Sequence, residues 1–194
     1  MLFLSNEDAV LTLKQQLSAQ DYAAGCQVLE QANSPTAKPS VRAAACAAGA
    51  ALSASTAPLS LREYGTMWIP LLFMALFAAI AVWALLFEPQ KKWEEKLREF
   101  AGTPLLGLET EIAVYRDFFL MKNQYEQWQE YWTEFSSCLE TDRFVAAAGT
   151  GGRRFLICKD SLSETERAAL SQAMQNTFAF SYRRSRTKGG KPHG

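Results

Sequence analysis

Residues 67–87 read MWIPLLFMALFAAIAVWALLF, a run without a single charged side chain. About 20 consecutive apolar residues cross the roughly 30 Å hydrocarbon core of a bilayer as one helix. This stretch decides the fold class, because it predicts a transmembrane helix and excludes a soluble monomer. Trp68 suits an interfacial aromatic belt, and Pro70 falls in the first turn, where its missing N–H is tolerated.

The flanks of the span set its orientation. Lys91, Lys92, Lys96 and Arg98 follow it closely, whereas Arg62 is the only basic residue between residues 43 and 66. The positive-inside rule puts residues 88–194 in the cytoplasm of a cell-membrane protein. Upstream, AAACAAGAALSASTA (43–57) is uncharged and rich in small residues. Alanine contributes little to insertion, but small residues let a helix pack closely on a stronger neighbour. Residues 41–58 are therefore a weak first span in a two-helix hairpin, or else a soluble Ala-rich helix. The basic flanks Lys38/Arg42, Arg62 and Lys91/Lys92 alternate in strength as a hairpin requires.

Before that segment, residues 1–40 read as helical. Ser5 and Asp8 can cap a helix through AVLTLKQQL, and Tyr22, Cys26 and Leu29 share a face of a second one. The N-terminus lacks the basic start and long apolar run of a signal peptide.

Beyond the span, KKWEEKLREFAG predicts a juxtamembrane helix over residues 88–102, with Trp93, Leu97 and Phe100 on one face. Strand signals follow in TEIAVY (110–115), DFFLMK (117–122), FVAAA (144–148) and RFLIC (154–158). The last two flank Gly149–Gly152, a glycine-rich hairpin connection. Ser163 and Glu166 form a capping box for a C-terminal helix carrying Leu170, Met174 and Phe178 on one face. The segment QYEQWQEYWTEF fits both periods: Tyr125, Trp128, Trp132 and Phe135 are spaced as on a helix, while the aromatic density suits a strand.

Three stretches carry a family resemblance: LLGLETEIAVYRD, YWTEFSSCLETDRFVAAAG and RRFLICKDSLSETERAAL. Residues 88–178 resemble the C-terminal domain of YcxB-like bacterial membrane proteins. The matching features are Leu106-Gly107 before the first strand and the step Trp132-Thr133-Glu134-Phe135 after a strand. Glu140 stands after the following turn, before the strand that ends in the Gly149–Gly152 hairpin. Cys158-Lys159 stands where the family has Pro-Lys. The resemblance implies an α+β membrane protein with two spans and a small cytoplasmic pleckstrin-homology-like β-barrel, closed by a C-terminal helix. It places that β-rich domain at residues 103–178, tips Tyr125–Glu130 toward strand, and makes Gly107, Trp132, Glu140 and Lys159 structural motif residues. It carries over no catalytic residue.

Composition and chemistry narrow the function. The chain of 194 residues has 20 basic and 20 acidic side chains, which argues against a nucleic-acid binder. Cys26, Cys46, Cys138 and Cys158 lack the paired spacing of zinc sites or disulfide frameworks, and the one histidine, His193, is in a Gly/Lys-rich tail. Cys138 and Cys158 read as small buried hydrophobes, and GTGGRR as a turn lacking the G-K-[ST] end of a P-loop. No metal, cofactor or catalytic set is expected. Tyr125, Trp128, Tyr131 and Trp132 can form a core or line a groove for a ligand or peptide. In the tail, residues 179–194, Arg183, Arg184, Arg186, Lys188 and Lys191 are candidate contacts for anionic lipid headgroups. The function expected is a membrane-anchored regulatory or scaffolding module that binds a lipid headgroup or another membrane protein. The alternative is a membrane-associated enzyme using carboxylates or a cysteine.

Overall fold

The computed structural model describes residues 8–34, 36 and 38–185. It divides into two compact units. One comprises residues up to Leu29 together with those from Lys96 onward, and the other runs from Glu30 to Glu95. Beside the stretch expected at residues 103–178, the β-rich unit takes in the residues up to Leu29 and the end of the juxtamembrane helix.

The β-rich unit begins with strand β1 (Leu11–Gln15), where a helix is expected. In LTLKQ, Leu11 and Leu13 alternate with Thr12 and Lys14, the period of a strand with one buried face. Leu13 is buried, and β1 pairs antiparallel with β2 (Thr110–Val114), setting Leu13 opposite Ile112. The expected cap at Ser5 lies outside the described residues. Helix α1 (Ala19–Asn33) follows, burying Tyr22, Cys26 and Leu29.

Strands β3 (Phe118–Lys122) and β4 (Gln127–Tyr131) complete a four-stranded sheet in the order β1-β2-β3-β4. The ambiguous QYEQWQEYWTEF therefore holds the strand β4, then a 3₁₀ turn at Trp132–Glu134 and the first residue of the next strand. The second sheet has the order β7-β6-β5-β8, from β5 (Phe135–Glu140), β6 (Phe144–Gly149), β7 (Arg154–Cys158) and β8 (Tyr182–Arg184). Glu140 ends strand β5 and does not follow a turn. Residues 182–184 of the expected basic tail are a strand, parallel to β5. Gly151 and Gly152 take positive φ in the β6–β7 connection, a conformation that glycine adopts without strain. Helix α5 (Glu164–Thr177) starts at the capping box of Ser163 and Glu166.

Among the described residues the strands make two open sheets, without the continuous ladder of a closed barrel. One side chain bridges the gap. Gln15 donates its amide N–H to the Leu156 carbonyl at 2.8 Å and accepts the Cys158 N–H at 3.1 Å. A buried glutamine thus stands in for a strand residue between β1 and β7. The core around it holds Ile112, Phe119, Phe135, Phe155, Leu170 and Trp132, whose indole N–H donates to the Tyr115 carbonyl at 3.0 Å.

The other unit contains two helices long and apolar enough to cross a membrane. The Ala-rich segment extends well past its expected bounds into α2 (Pro39–Tyr64), with Pro58 inside it. The helix stops at Gly65, whose φ of 67° and N–H bond to the Leu61 carbonyl form a left-handed C-cap. Helix α3 (Trp68–Val82) continues through a π-helical turn (Trp83–Phe87) into α4 (Glu88–Gly102). That turn ends two residues before Pro89, whose ring clashes with the carbonyl four residues back in a regular helix.

Within this unit Pro70, Met74, Phe77 and Ala81 of α3 and Ala84 of the π turn are the less exposed positions, at alternating steps of four and three. Such spacing is the seam of a left-handed helix pair. The less exposed face of α2 is made of Ala43, Cys46, Gly49, Ser53 and Ala57. A Cβ on Gly49 would stand 2.9 Å from the Phe77 ring. Small side chains on α2 therefore admit the large ones of α3, the packing mode of membrane helices. Arg42 and Lys92 both pair with Glu88 in the same unit.

Two substitutions test the core. Trp132→Ala in the full chain should cost about 3–5 kcal/mol by emptying a large aromatic site. Gln15→Met should cost roughly 1–3 kcal/mol for each backbone group left unpaired. Urea unfolding of the detergent-solubilised chain measures both, and an unchanged midpoint for Trp132→Ala would refute its place in the core.

Candidate functional site

Two polar clusters and one groove concentrate the chemistry of the β-rich unit. The first cluster joins the ends of four elements. Glu140 closes β5, Lys159 follows β7, Ser171 projects from α5, and Tyr182 opens β8. Glu140 Oε1 accepts from Lys159 Nζ at 3.0 Å and from Ser171 Oγ at 2.8 Å, while Oε2 accepts from the Tyr182 hydroxyl. Glu140 is 1% exposed and Lys159 5%. Burial by itself raises the pKa of Glu140, but the hydrogen bonds from Tyr182, Ser171 and Lys159 outweigh it and hold the carboxyl below its ordinary value. Burial and the bond to Glu140 push Tyr182 up to about 12. Both carboxylate oxygens are engaged, so the cluster acts as a buried polar lock and has no open position for acid–base work.

Sequence reading singled out Glu140 and Lys159 separately as motif residues, and the fold brings them into one ion pair. Of the other two, Trp132 is buried against Phe119, Phe155 and Phe178. Gly107 ends a 3₁₀ turn (Pro104–Gly107), and its carbonyl accepts the Gln16 amide at 2.9 Å. A Cβ at Gly107 meets only ordinary contact with Phe100, so the backbone there does not demand glycine.

The second cluster went unnoticed in the sequence. Tyr22 on α1 donates to Glu99 on α4 at 2.8 Å, Arg154 on β7 reaches the same carboxylate at 3.1 Å, and Lys96 adds a bond at 2.9 Å. Cys26 lies 3.6 Å from the Arg154 guanidinium. Burial raises its thiol pKa, and Arg154 only partly offsets that. Burial also pushes Cys138 up to about 12, with the Glu140 charge adding to it, and raises Cys158. Nucleophilic cysteines need the opposite shift.

A groove of about 980 Å³ runs between α5 and the ends of β2, β3 and β4. Tyr131 and Tyr115 line it opposite Gln172 and Asn176. Burial splits the aromatic quartet: Trp132 is buried in the core at the floor of the groove, Tyr131 is exposed along it, Trp128 is half-buried and Tyr125 is 73% exposed. Of the candidate lipid contacts, Arg183 and Arg184 are exposed on β8, while Arg186, Lys188 and Lys191 lie outside the described residues. Among the described residues no group of three His, Cys, Asp or Glu side chains is placed to hold a metal ion. No protein-family model matches the chain, and none of the curated proteins matches it in sequence.

The lock makes stability depend on pH at both extremes. A depressed carboxyl stabilises the fold fully above its ordinary value of 4.5, and that contribution fades as pH falls through the lower folded value. A raised phenol stabilises it fully below 10, and that contribution fades as pH rises toward about 12. Tyr182→Phe should flatten the alkaline limb of a stability profile. Glu140→Gln should cost about 3–5 kcal/mol near neutrality, since it leaves the Lys159 charge buried without its partner.

Proposed function

We propose that the protein is a membrane-anchored binding module, related to the YcxB-like bacterial family, that holds a pleckstrin-homology-like domain at the cytoplasmic face of the cell membrane. One observation carries the reading. The apolar helix pair is inserted between β1 and β2, inside the chain of the β-rich unit, so α1 and α4 both connect that unit to it. An anchor built into the middle of a domain tethers it by two legs. The pleckstrin-homology-like reading is supported by two sheets whose edges are linked through Gln15, with α5 packed on the same core.

The domain recognises a protein segment or an anionic lipid headgroup. The groove beside α5 falls within the volume range of ligand sites, and Arg183 and Arg184 supply exposed positive charge. Binding is favoured over cysteine or carboxylate catalysis because burial raises Cys26, Cys138 and Cys158, and Glu140 is saturated by donors.

The test is topology in intact cells, using a cysteine-free chain carrying one new cysteine at Asp8, Glu63 or Ser185. A membrane-impermeant thiol reagent should label only the Glu63 position, in the last turn of α2 next to the connection between the two spans. Labelling at Ser185 or Asp8, with Glu63 protected, would overturn the orientation.

A further inference from the structure

The β-rich unit has a second, partly open cavity, distinct from the groove, of about 150 Å³, lined by both sheets, α1 and the 3₁₀ turn. Its walls include Leu17, Leu106, Ile112, Met121, Phe155 and Leu156. Protein interiors pack to the density of organic crystals, and voids larger than a water molecule are few. An apolar cavity of this order stays dry and takes up benzene-sized hydrocarbons.

Three of its polar neighbours are already hydrogen-bonded within the unit. The Gln15 amide is spent on the backbone of Leu156 and Cys158, and Tyr22 and Arg154 both bind Glu99. Half-buried Glu130 adds a carboxylate to the wall, which repels an anionic headgroup. What the cavity offers a ligand is hydrocarbon surface. The 3₁₀ turn Pro104–Gly107, which contributes Leu105 and Leu106, begins two residues after α4 ends, and Leu105 is 38% exposed.

We propose that this cavity is a binding site for a neutral hydrocarbon chain end, such as the terminal segment of a lipid acyl chain, entering past the turn of residues 104–108. Its walls accept methylene and methyl groups, and its committed polar groups reject a charged head.

Methionine methyl NMR of the full chain in nanodiscs tests this, because Met121 lines the cavity while Met174 is buried in the core outside it. Added hexane should shift the Met121 methyl saturably and leave Met174 unmoved. Ala146→Leu, which fills the cavity from β6, should abolish the shift, as should Leu108→Trp at the turn. No saturable shift of Met121, or one that survives both substitutions, would overturn the proposal. A second arm uses lipid spin-labelled at the acyl-chain end. Broadening of Met121 would identify the bilayer as the source, and a sharp Met121 signal beside a saturable hexane response would identify a free hydrocarbon. The hexane arm does not depend on the membrane reading, so the two can fail separately.

Discussion

Among the described residues, strand β1 has no strand partner nearer in sequence than residue 110. Leu13 lies opposite Ile112, and Gln15 reaches across to β7, so one sheet edge and the link between the sheets both come from a segment placed before the apolar helices. The β-rich unit cannot be completed until the chain has gone out through α2 and returned through α4. The apolar helix pair and the β-rich unit are in that sense one folding problem. A helix pair appended to one end would leave the unit free to fold alone, and this arrangement does not.

The Glu140 lock does for the second sheet what Gln15 does between the sheets. A three-residue strand such as β8 has few ladder bonds of its own. Tyr182 at its start donates to Glu140, and the Ser185 N–H donates to the Glu140 carbonyl at 2.8 Å. Side chain and backbone of one residue thus hold both ends of the strand. Replacing a buried ion pair by apolar residues often leaves stability unchanged, whereas breaking one is costly. The pair therefore specifies where β8 and α5 dock more than it adds net stability.

Legibility followed the range of the interaction. The apolar helix at 67–87, the capping box at Ser163 and the glycine turn before β7 are local patterns, and each was readable from residues within a few positions. In LTLKQ the two-residue alternation was present, but a plausible cap at Ser5 and only five residues of pattern let the helical reading win. The Ala-rich segment was ambiguous by composition because its role is relational: small residues on α2 make sense only opposite Phe77 and Met74. Burial likewise separates Trp132 from Tyr131, one residue away, which a count of aromatics cannot do. The pairing of Glu140 with Lys159 and the use of Gln15 as a strand substitute have no local signature, since their partners are set by the topology.

Inserting a long segment between two paired strands costs less than its length suggests. Loop-closure entropy grows only logarithmically, by about 0.6 kcal/mol for each doubling of length in a flexible loop. Here the insertion is not flexible. Gly49 receives Phe77 midway along the helix pair, and Arg42 meets Glu88, joining the start of α2 to the residue where α3 and its π turn give way to α4. Once the two helices pack, Arg42 and Glu88 are held together, and the length of chain that must be closed between β1 and β2 is effectively shortened. The small-residue face of α2 is what lets the two helices close on each other.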